Sequence, residues 1–593
     1  MPPNDQRPPL NLSEIFARQS EECLAVRRRE MLEEIGRLRD EIRDRPGEPG
    51  PYLAIAGLYS QLADKHAEEA VLRDGLAACP SAGLYWPLFR CLRESGRTEE
   101  AIPLARTAVE TMPRGFQFRF AECLLLPGLY ETEEQLTVWR SRFIEGLQAV
   151  EESLEKQLGT PGSEVAAAAL EGLKRVTNFY LAYQGYDDLT LQRRYGTLVH
   201  RVMQAQYPQW DVPLSMPGLP PDGRVRVGIV SSHFYEHTVT RLFTGWLEHC
   251  DRGQFQFYSY YSGSRDDSMT DRVRKASDVF HHIPDNFEAL CRQIRNDQLH
   301  VLIFTDIGMT PETTMLAALR LAPVQCMTWG HPVTSGLPAM DYYLSSELME
   351  PPGAQQSYSE RLVLLPGIGI CVEKPWIPRA ILTRPRAAWG IPDDAVVYLC
   401  CQSLFKYLPR HDYIFPAIAQ RVPGCRFVFF APRETPSGQF QARLRRAFSA
   451  AGLNADEHCL LLPAQNLFDY WNVNLVCDVF LDSLGWSGGM TTLDALACDL
   501  PVVTLPGDFM RGRHSWAILT QLGIGETIAS SEADYIEIAT RLGMDPVWRK
   551  DLVQQIRERS DNLYSDKRSA RALGDFIRQV VSSQLIGNLV SDF

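Results

Sequence analysis

Apolar and polar positions along the chain follow two rhythms, with the change near residue 212. From Asn11 to about Gln209 the spacing is helical. Within this stretch, LADKHAEEAVLRDGLAACP and ESGRTEEAIPLARTAVETMP each run polar turn, EEA, amphipathic helix, proline. Pro80 and Pro113 close these units 33 residues apart, one short of the tetratricopeptide period of about 34. The pattern predicts a short, imperfect helical-repeat array. Its groove would either hold a peptide or, with only two repeats, simply buttress the C-terminal two thirds of the chain.

YPQWDVPLSMPGLPPDGR, Tyr207 to Arg224, is rich in proline and glycine and marks a boundary. Beyond it short apolar runs alternate with amphipathic stretches: VRVGIVSS, FQFYSYYS, HVLIFTD, VQCMTW and RLVLLPG, then VVYLCC, RFVFFAP, HCLLLP, CDVFLD and PVVTLPG. Runs apolar on both faces and separated by helices indicate parallel sheets covered on both sides. The proline-rich KPWIPRAILTRPRAAWGIPDD separates the two series. The expected class is therefore α/β, with two doubly wound sheets at roughly 225–375 and 390–560. Expected domains are an all-α repeat region over 1–212, a Rossmann-like half over 213–380 and a second over 381–593 with closing C-terminal helices. The ligand cleft belongs at the carboxyl ends of the strands.

One such end reads LDSLGWSGGMTTLDALACDLPVVTLPG. A strand stopping at Gly485 and a helix starting near Met490 would leave the amides of Gly488, Gly489 and Met490 unpaired, an anion site. Thr491 and Thr492 add hydroxyls, and Asp494, one turn in, suits the hydroxyls of a ribose. An ordinary strand-to-helix turn, with glycine for tight packing, fits the local pattern as well.

Composition narrows the class. With 45% hydrophobic and 22% charged residues the chain is ordinary globular protein, and its net charge of -13 argues against a generally nucleic-acid-binding or membrane-seeking surface. MPPNDQRPPLNLSEIF has no basic segment followed by an apolar core, so neither signal peptide nor anchor is expected and the cytoplasm is the default. The 14 cysteines show no CxxC spacing. Many, including Cys326, Cys400, Cys401 and Cys477, lie in apolar runs as small hydrophobes, so reduced core thiols are expected rather than disulfides or a zinc site.

Twin Rossmann-like halves with a phosphate-type turn in the second suggest the GT-B glycosyltransferase architecture. RVGIVSSHFYEHTVTRLF, APVQCMTWGHPVTSGLPAMDYYLSS, VVYLCCQSLFKYLP and DVFLDSLGWSGGMTTLDALACDLPVVTLPGDFMRGRHS occur in order. Together they resemble the O-GlcNAc transferase and SPINDLY family, glycosyltransferase family 41, over about 220 to 580. The resemblance implies an inverting transferase that moves a sugar from a nucleotide donor, most simply UDP-GlcNAc, to a Ser or Thr hydroxyl of a protein, with no metal or other cofactor. The implied partners are the nucleotide sugar and a protein or peptide acceptor, held in part by the repeats, with no nucleic acid and no membrane. No DxD pair of the kind that holds a cation in metal-dependent glycosyltransferases is present.

The resemblance assigns residues. Lys406 matches the catalytic lysine, which would neutralise the departing diphosphate together with the Gly488–Thr492 turn. Asp494 matches the ribose-binding acid. Tyr470 falls where the family places a ring against the base, although a core tyrosine fits too. Gln402 would reach the base or a phosphate, and Arg513 and His514 the diphosphate or the domain interface. His237 matches the active-site histidine. The base is left open among His237, Asp306, a donor phosphate and a water relay, and Asp306 and His331 sit at strand ends facing the cleft. SGGMTT departs from the animal enzyme's NGHTTG, putting Met490 near the diphosphate, so GDP-fucose or a UDP-hexose as donor and asparagine as acceptor stay open. So do two other readings, a nucleotide-sugar epimerase and a repeat scaffold with an inert transferase domain.

Overall fold

The computed structural model describes residues 12–112, 115–158, 163–431, 437–564 and 566–591. Residues 1–11 of the N-terminal segment and Pro113 lie outside the described residues. The chain divides into two compact units, residues 1–113 and 114–593.

In the first unit, helices Pro49–Gln61 and Lys65–Ala78 form one antiparallel pair, and Ala82–Glu94 and Thr98–Thr111 a second. Both repeat-like stretches thus fold as turn then helix. Asp64 caps the first of these helices, its carboxylate accepting from the Ala67 amide at 3.0 Å. Ile35, Leu38 and Ile55 form the core where helix Leu12–Asp44 meets the array.

The second unit holds two parallel sheets. The first comprises β1 (Val225–Ser231), β2 (Phe255–Tyr261), β3 (Val279–His282), β4 (Val301–Phe304), β5 (Val324–Thr328), β6 (Tyr342–Ser346) and β7 (Arg361–Leu365), in the order β3-β2-β1-β4-β5-β6-β7. The second comprises β8 (Val397–Cys400), β9 (Arg426–Ala431), β10 (Cys459–Pro463), β11 (Val479–Leu481) and β12 (Val502–Val503), in the order β10-β9-β8-β11-β12. Central strands such as β4 and β8 are buried at every position, as their uninterrupted apolar runs require. β3 and β6 were not legible as strands. β3 is a half-buried edge strand of four residues, and β6 carries the buried polar pair Ser345 and Ser346.

Residues 114–210 belong to this unit. Helix Leu189–Gln206 lies against the Ser335–Leu337 loop so closely that a Cβ on Gly196 would come within 2.3 Å of the Gly336 carbonyl oxygen. On the other sheet, fully buried Arg443 pairs with Asp412 at 2.6 Å and donates to the Tyr130 carbonyl at 3.1 Å. The last helix, Arg568–Ser591, crosses back onto the first sheet, where Phe576 meets the Tyr342 ring edge-on at 5.1 Å. Among the described residues no helix is long and apolar enough to cross a membrane, and the described cysteines are free thiols, most of them buried.

Candidate active site

Strand order reverses between β8 and β11, opening a crevice at their carboxyl ends. Gln402 and Lys406 follow β8, and Lys406 ends the tight turn Leu404–Lys406. Lys406 Nζ donates to Gln402 Oε1 at 2.7 Å, and Gln402 Nε2 donates to Thr491 Oγ1 at 2.6 Å. A single buried amide therefore ties the ammonium to the start of helix Met490–Ala497. The Trp486 ring lies 5.9 Å from the same nitrogen. Burial lowers the Lys406 pKa to about 8 against the opposing pull of the Asp482 carboxylate.

Helix Met490–Ala497 starts where expected, but the strand before it ends at Leu481, four residues ahead of Gly485. The reason is Asp482, 3% exposed, which needs donors. It takes them from the Gly488 amide (2.7 Å), Ser487 Oγ (2.6 Å) and Thr504 Oγ1 (2.8 Å). Two expectations change. The Gly488 amide is not free, and the Thr492 hydroxyl is committed to Ser515 Oγ at 2.7 Å. The amides of Gly489 and Met490 have no acceptor among the described residues. A side chain at 488 would displace polar neighbours, since a Cβ there would stand 2.6 Å from Gln402 Nε2, Thr491 Oγ1 and Thr492 Oγ1.

His514 heads helix His514–Leu522, its ring set edge-on to Trp329 at 4.9 Å and its Nδ1 3.3 Å from where a Gly489 Cβ would be. Both ring nitrogens are buried without a partner among the described residues, and burial, then the Lys406 charge, lowers its pKa to about 3. It is a neutral ring with a polar edge to offer. Arg513 stacks on Trp516 at 4.2 Å and donates to the Gly507 carbonyl at 3.3 Å. Asp494 is buried and held by Arg241 through two hydrogen bonds, of 2.6 and 3.0 Å. Half-buried Tyr470 lies beside it, its phenol 3.7 Å from Cys401 Sγ and its pKa raised by burial, then by Cys401 and Asp494.

The first sheet reverses order between β1 and β4, and there the chain places a second polar group. Asp306, fully buried, accepts from Ser231 Oγ (3.1 Å), the Ser232 amide (3.0 Å), Ser232 Oγ (2.8 Å) and His233 Nδ1 (2.5 Å). His237 caps helix Thr238–His249, its Nδ1 accepting from the Val239 amide at 3.2 Å. Burial, then the neighbouring His233, lowers the His237 pKa to about 4. His331 is buried as an aromatic ring, stacked on Phe179 at 4.8 Å and 6.0 Å from Trp486.

Several contributors were not read from the sequence. Arg241, His233 and Asp482 lie inside stretches singled out for their neighbours, where only the fold shows which side chain meets which. Tyr183 stacks on Trp486 at 3.8 Å and meets Phe405 at 4.5 Å, so the short helix Phe179–Gln184 supplies an aromatic wall next to Lys406. Its aromatic run FYLAYQGY was the available signal. Among the described residues Glu248, His249 and Glu373 stand at metal-ligand spacing. Arg272 already pairs with both carboxylates, at 2.7 and 2.8 Å.

Two parallel sheets facing each other with polar groups at both reversal points define a GT-B transferase scaffold. The model of glycosyl transferase family 41 matches residues 191–371 and 370–573, more than half of the chain, and the chain belongs to that family. It is 26% identical over 395 residues to an Arabidopsis thaliana protein named "Probable UDP-N-acetylglucosamine–peptide N-acetylglucosaminyltransferase SPINDLY", covering 65% of this chain and 42% of that one. The protein of the same organism named SEC, with otherwise the same description, is 24% identical over 341 residues, covering 56% and 34%. The chain thus spans less than half the length of these curated relatives. A solved O-GlcNAc transferase of Thermobaculum terrenum, a Lys→Met mutant, shares the fold with a TM-score of 0.64 at 22% identity, covering 98% of this chain and 100% of that one.

Proposed function

We propose that the chain is a protein glycosyltransferase that moves GlcNAc from UDP-GlcNAc to a Ser or Thr hydroxyl with inversion and without a metal ion. The observation that carries this is the hydrogen-bonded chain Lys406–Gln402–Thr491. It ties the ammonium to the start of a helix whose Gly489 and Met490 amides have no acceptor among the described residues. Between them a diphosphate would meet fixed donors on both sides, and charge developing on it as the glycosidic bond breaks is stabilised without reorganisation. His514 offers a further donor to the phosphates, Asp494 and Tyr470 the ribose and base contacts. The relatives' names, which pair UDP-N-acetylglucosamine with a peptide, support donor and acceptor alike. The enzyme would act in the cytoplasm, in keeping with its free cysteines, and capture acceptors through the helical repeats.

Thermal-shift measurements in EDTA with UDP, GDP, UDP-GlcNAc, UDP-glucose and GDP-fucose test the donor site. A ligand at 100 times its Kd stabilises by about 2.7 kcal/mol. A shift with GDP-fucose alone would reassign the donor, and no shift with any of them would refute the reading. Transfer from the bound donor to peptides carrying Ser, Thr or Asn then fixes the linkage.

A further inference from the structure

The proposed reaction needs a base for the acceptor hydroxyl, and the two histidines after β1 differ in which nitrogen is available. An ionised carboxylate only accepts hydrogen bonds. Asp306 Oδ2 gathers Ser231, Ser232 and His233 Nδ1 around it, so the His233 proton sits on Nδ1 and its Nε2 carries the lone pair. Nε2 has no hydrogen-bond partner among the described residues, and the side chain is 12% exposed. His237 has the opposite tautomer. Its Nδ1 accepts from the Val239 amide, so the neutral ring holds its proton on Nε2 and can only donate there. A proton taken up by His233 is balanced by Asp306, whereas one on His237 would face the ring of His233 at 4.4 Å.

Position agrees with chemistry. The His233–Asp306 pair occupies the reversal point of the first sheet, as Gln402 and Thr491 occupy that of the second. A run of neighbours links the loop after Asp306 to Lys406: the Cβ position of Gly308 is 3.0 Å from His331, whose ring lies 6.0 Å from Trp486, itself 5.9 Å from Lys406 Nζ.

Resting on the transferase reading, we propose that His233, oriented by Asp306, is the catalytic base of the transfer. The acceptor oxygen attacks the anomeric carbon while its O–H proton passes to His233 Nε2. The new C–O bond forms as the sugar–phosphate C–O bond breaks, and that bond's electron pair leaves with the diphosphate. The imidazolium, paired with Asp306, releases its proton to solvent after the products depart. Asp306 is a positioning residue that fixes the tautomer.

The experiment is single-turnover transfer by the full chain, using whichever of UDP-GlcNAc, UDP-glucose and GDP-fucose binds and a pool of Ser- and Thr-containing peptides. His233→Ala should lose about 10²- to 10⁴-fold in rate while donor affinity is kept, and imidazole in the buffer should restore part of the loss. His237→Asn, which keeps an acceptor for the helix cap, should gain nothing from imidazole. Asp306→Asn should also slow transfer, because an amide allows the ring to turn over. Folded, donor-binding His233→Ala that transfers within about threefold of wild type, far short of the loss of a base, overturns the inference alone, as does an absence of imidazole rescue. A wild type that binds none of UDP-GlcNAc, UDP-glucose and GDP-fucose, or transfers no sugar from the one it binds, overturns the transferase reading and this inference with it.

Discussion

Arg241 and Asp494 grip each other across the cleft, Nη2 to Oδ1 at 2.6 Å and Nη1 to Oδ2 at 3.0 Å, joining helix Thr238–His249 of one sheet to helix Met490–Ala497 of the other. The carboxylate expected to receive a ribose is thus already satisfied from the opposite half. A ribose approaching Asp494 would meet a carboxylate that already accepts from the guanidinium at both oxygens, and would compete with it for the remaining lone pairs.

Removing one partner of a mostly buried pair leaves the other charge unmatched, at a cost of about 3–5 kcal/mol when burial is complete. Arg241 keeps 19% of its side chain exposed, so Arg241→Met should destabilise by about 2–4 kcal/mol in urea titrations. UDP should nevertheless bind the variant more tightly by calorimetry, since Asp494 no longer has a competitor. Asp494→Asn should weaken UDP binding by about 1.5–3 kcal/mol, the loss of a charge-assisted hydrogen bond. Weaker UDP binding to Arg241→Met would mean that the arginine itself contacts the donor.

The architecture was legible because core strands such as VLIF at 301–304 are apolar on both faces, a pattern only doubly covered sheets require. The helix start at Met490 was legible from glycine chemistry. What stayed hidden were pairings between distant segments: Asp482 taking the Gly488 amide, Arg241 taking Asp494, and Phe179–Gln184 packing beside Lys406. A buried carboxylate must find donors, but which donors arrive is decided by strand order, and strand order is not written in local periodicity.

Gly488 offers a stringent check on the crevice. Three polar atoms stand 2.6 Å from the position of a Cβ there, and two of them, Gln402 Nε2 and Thr491 Oγ1, are the bond that ties Lys406 to the helix. Gly488→Ala should therefore break that bond, destabilise the fold by an overpacking cost of about 1–3 kcal/mol, seen as a lower Tm, and abolish the UDP-induced thermal shift. A variant that still shifts with UDP like wild type would show that the relay through Gln402 is not needed to hold the donor.

The repeat unit is expected to act on the acceptor alone. Substitutions at exposed positions within 52–112 should raise KM for a protein acceptor by severalfold while leaving transfer to short peptides unchanged. Kinetics with both acceptors that are indistinguishable from wild type across such a set would assign these helices to buttressing.

Lys406 carries the most exposed claim. Its pKa near 8 is depressed by burial, so the free protein sheds this proton as pH rises through about 8. A bound diphosphate would hold the proton, so the complex would carry more of it than the free protein above that pH. UDP affinity should fall as pH rises past about 8, by up to about tenfold per pH unit, and Lys406→Met should flatten that dependence. Because the folded-state pKa lies below the unfolded value, burying the charge opposes folding at neutral pH, and the penalty fades between about 8 and 10.4. Lys406→Met should thus melt no lower than wild type at pH 7, which separates chemistry from misfolding. Single-turnover transfer by that folded variant should be slower by about 10²-fold or more, a larger loss than in donor affinity, since the interaction strengthens as the glycosidic bond breaks. Transfer within about threefold of wild type, against the 10² expected, would remove Lys406 from the mechanism.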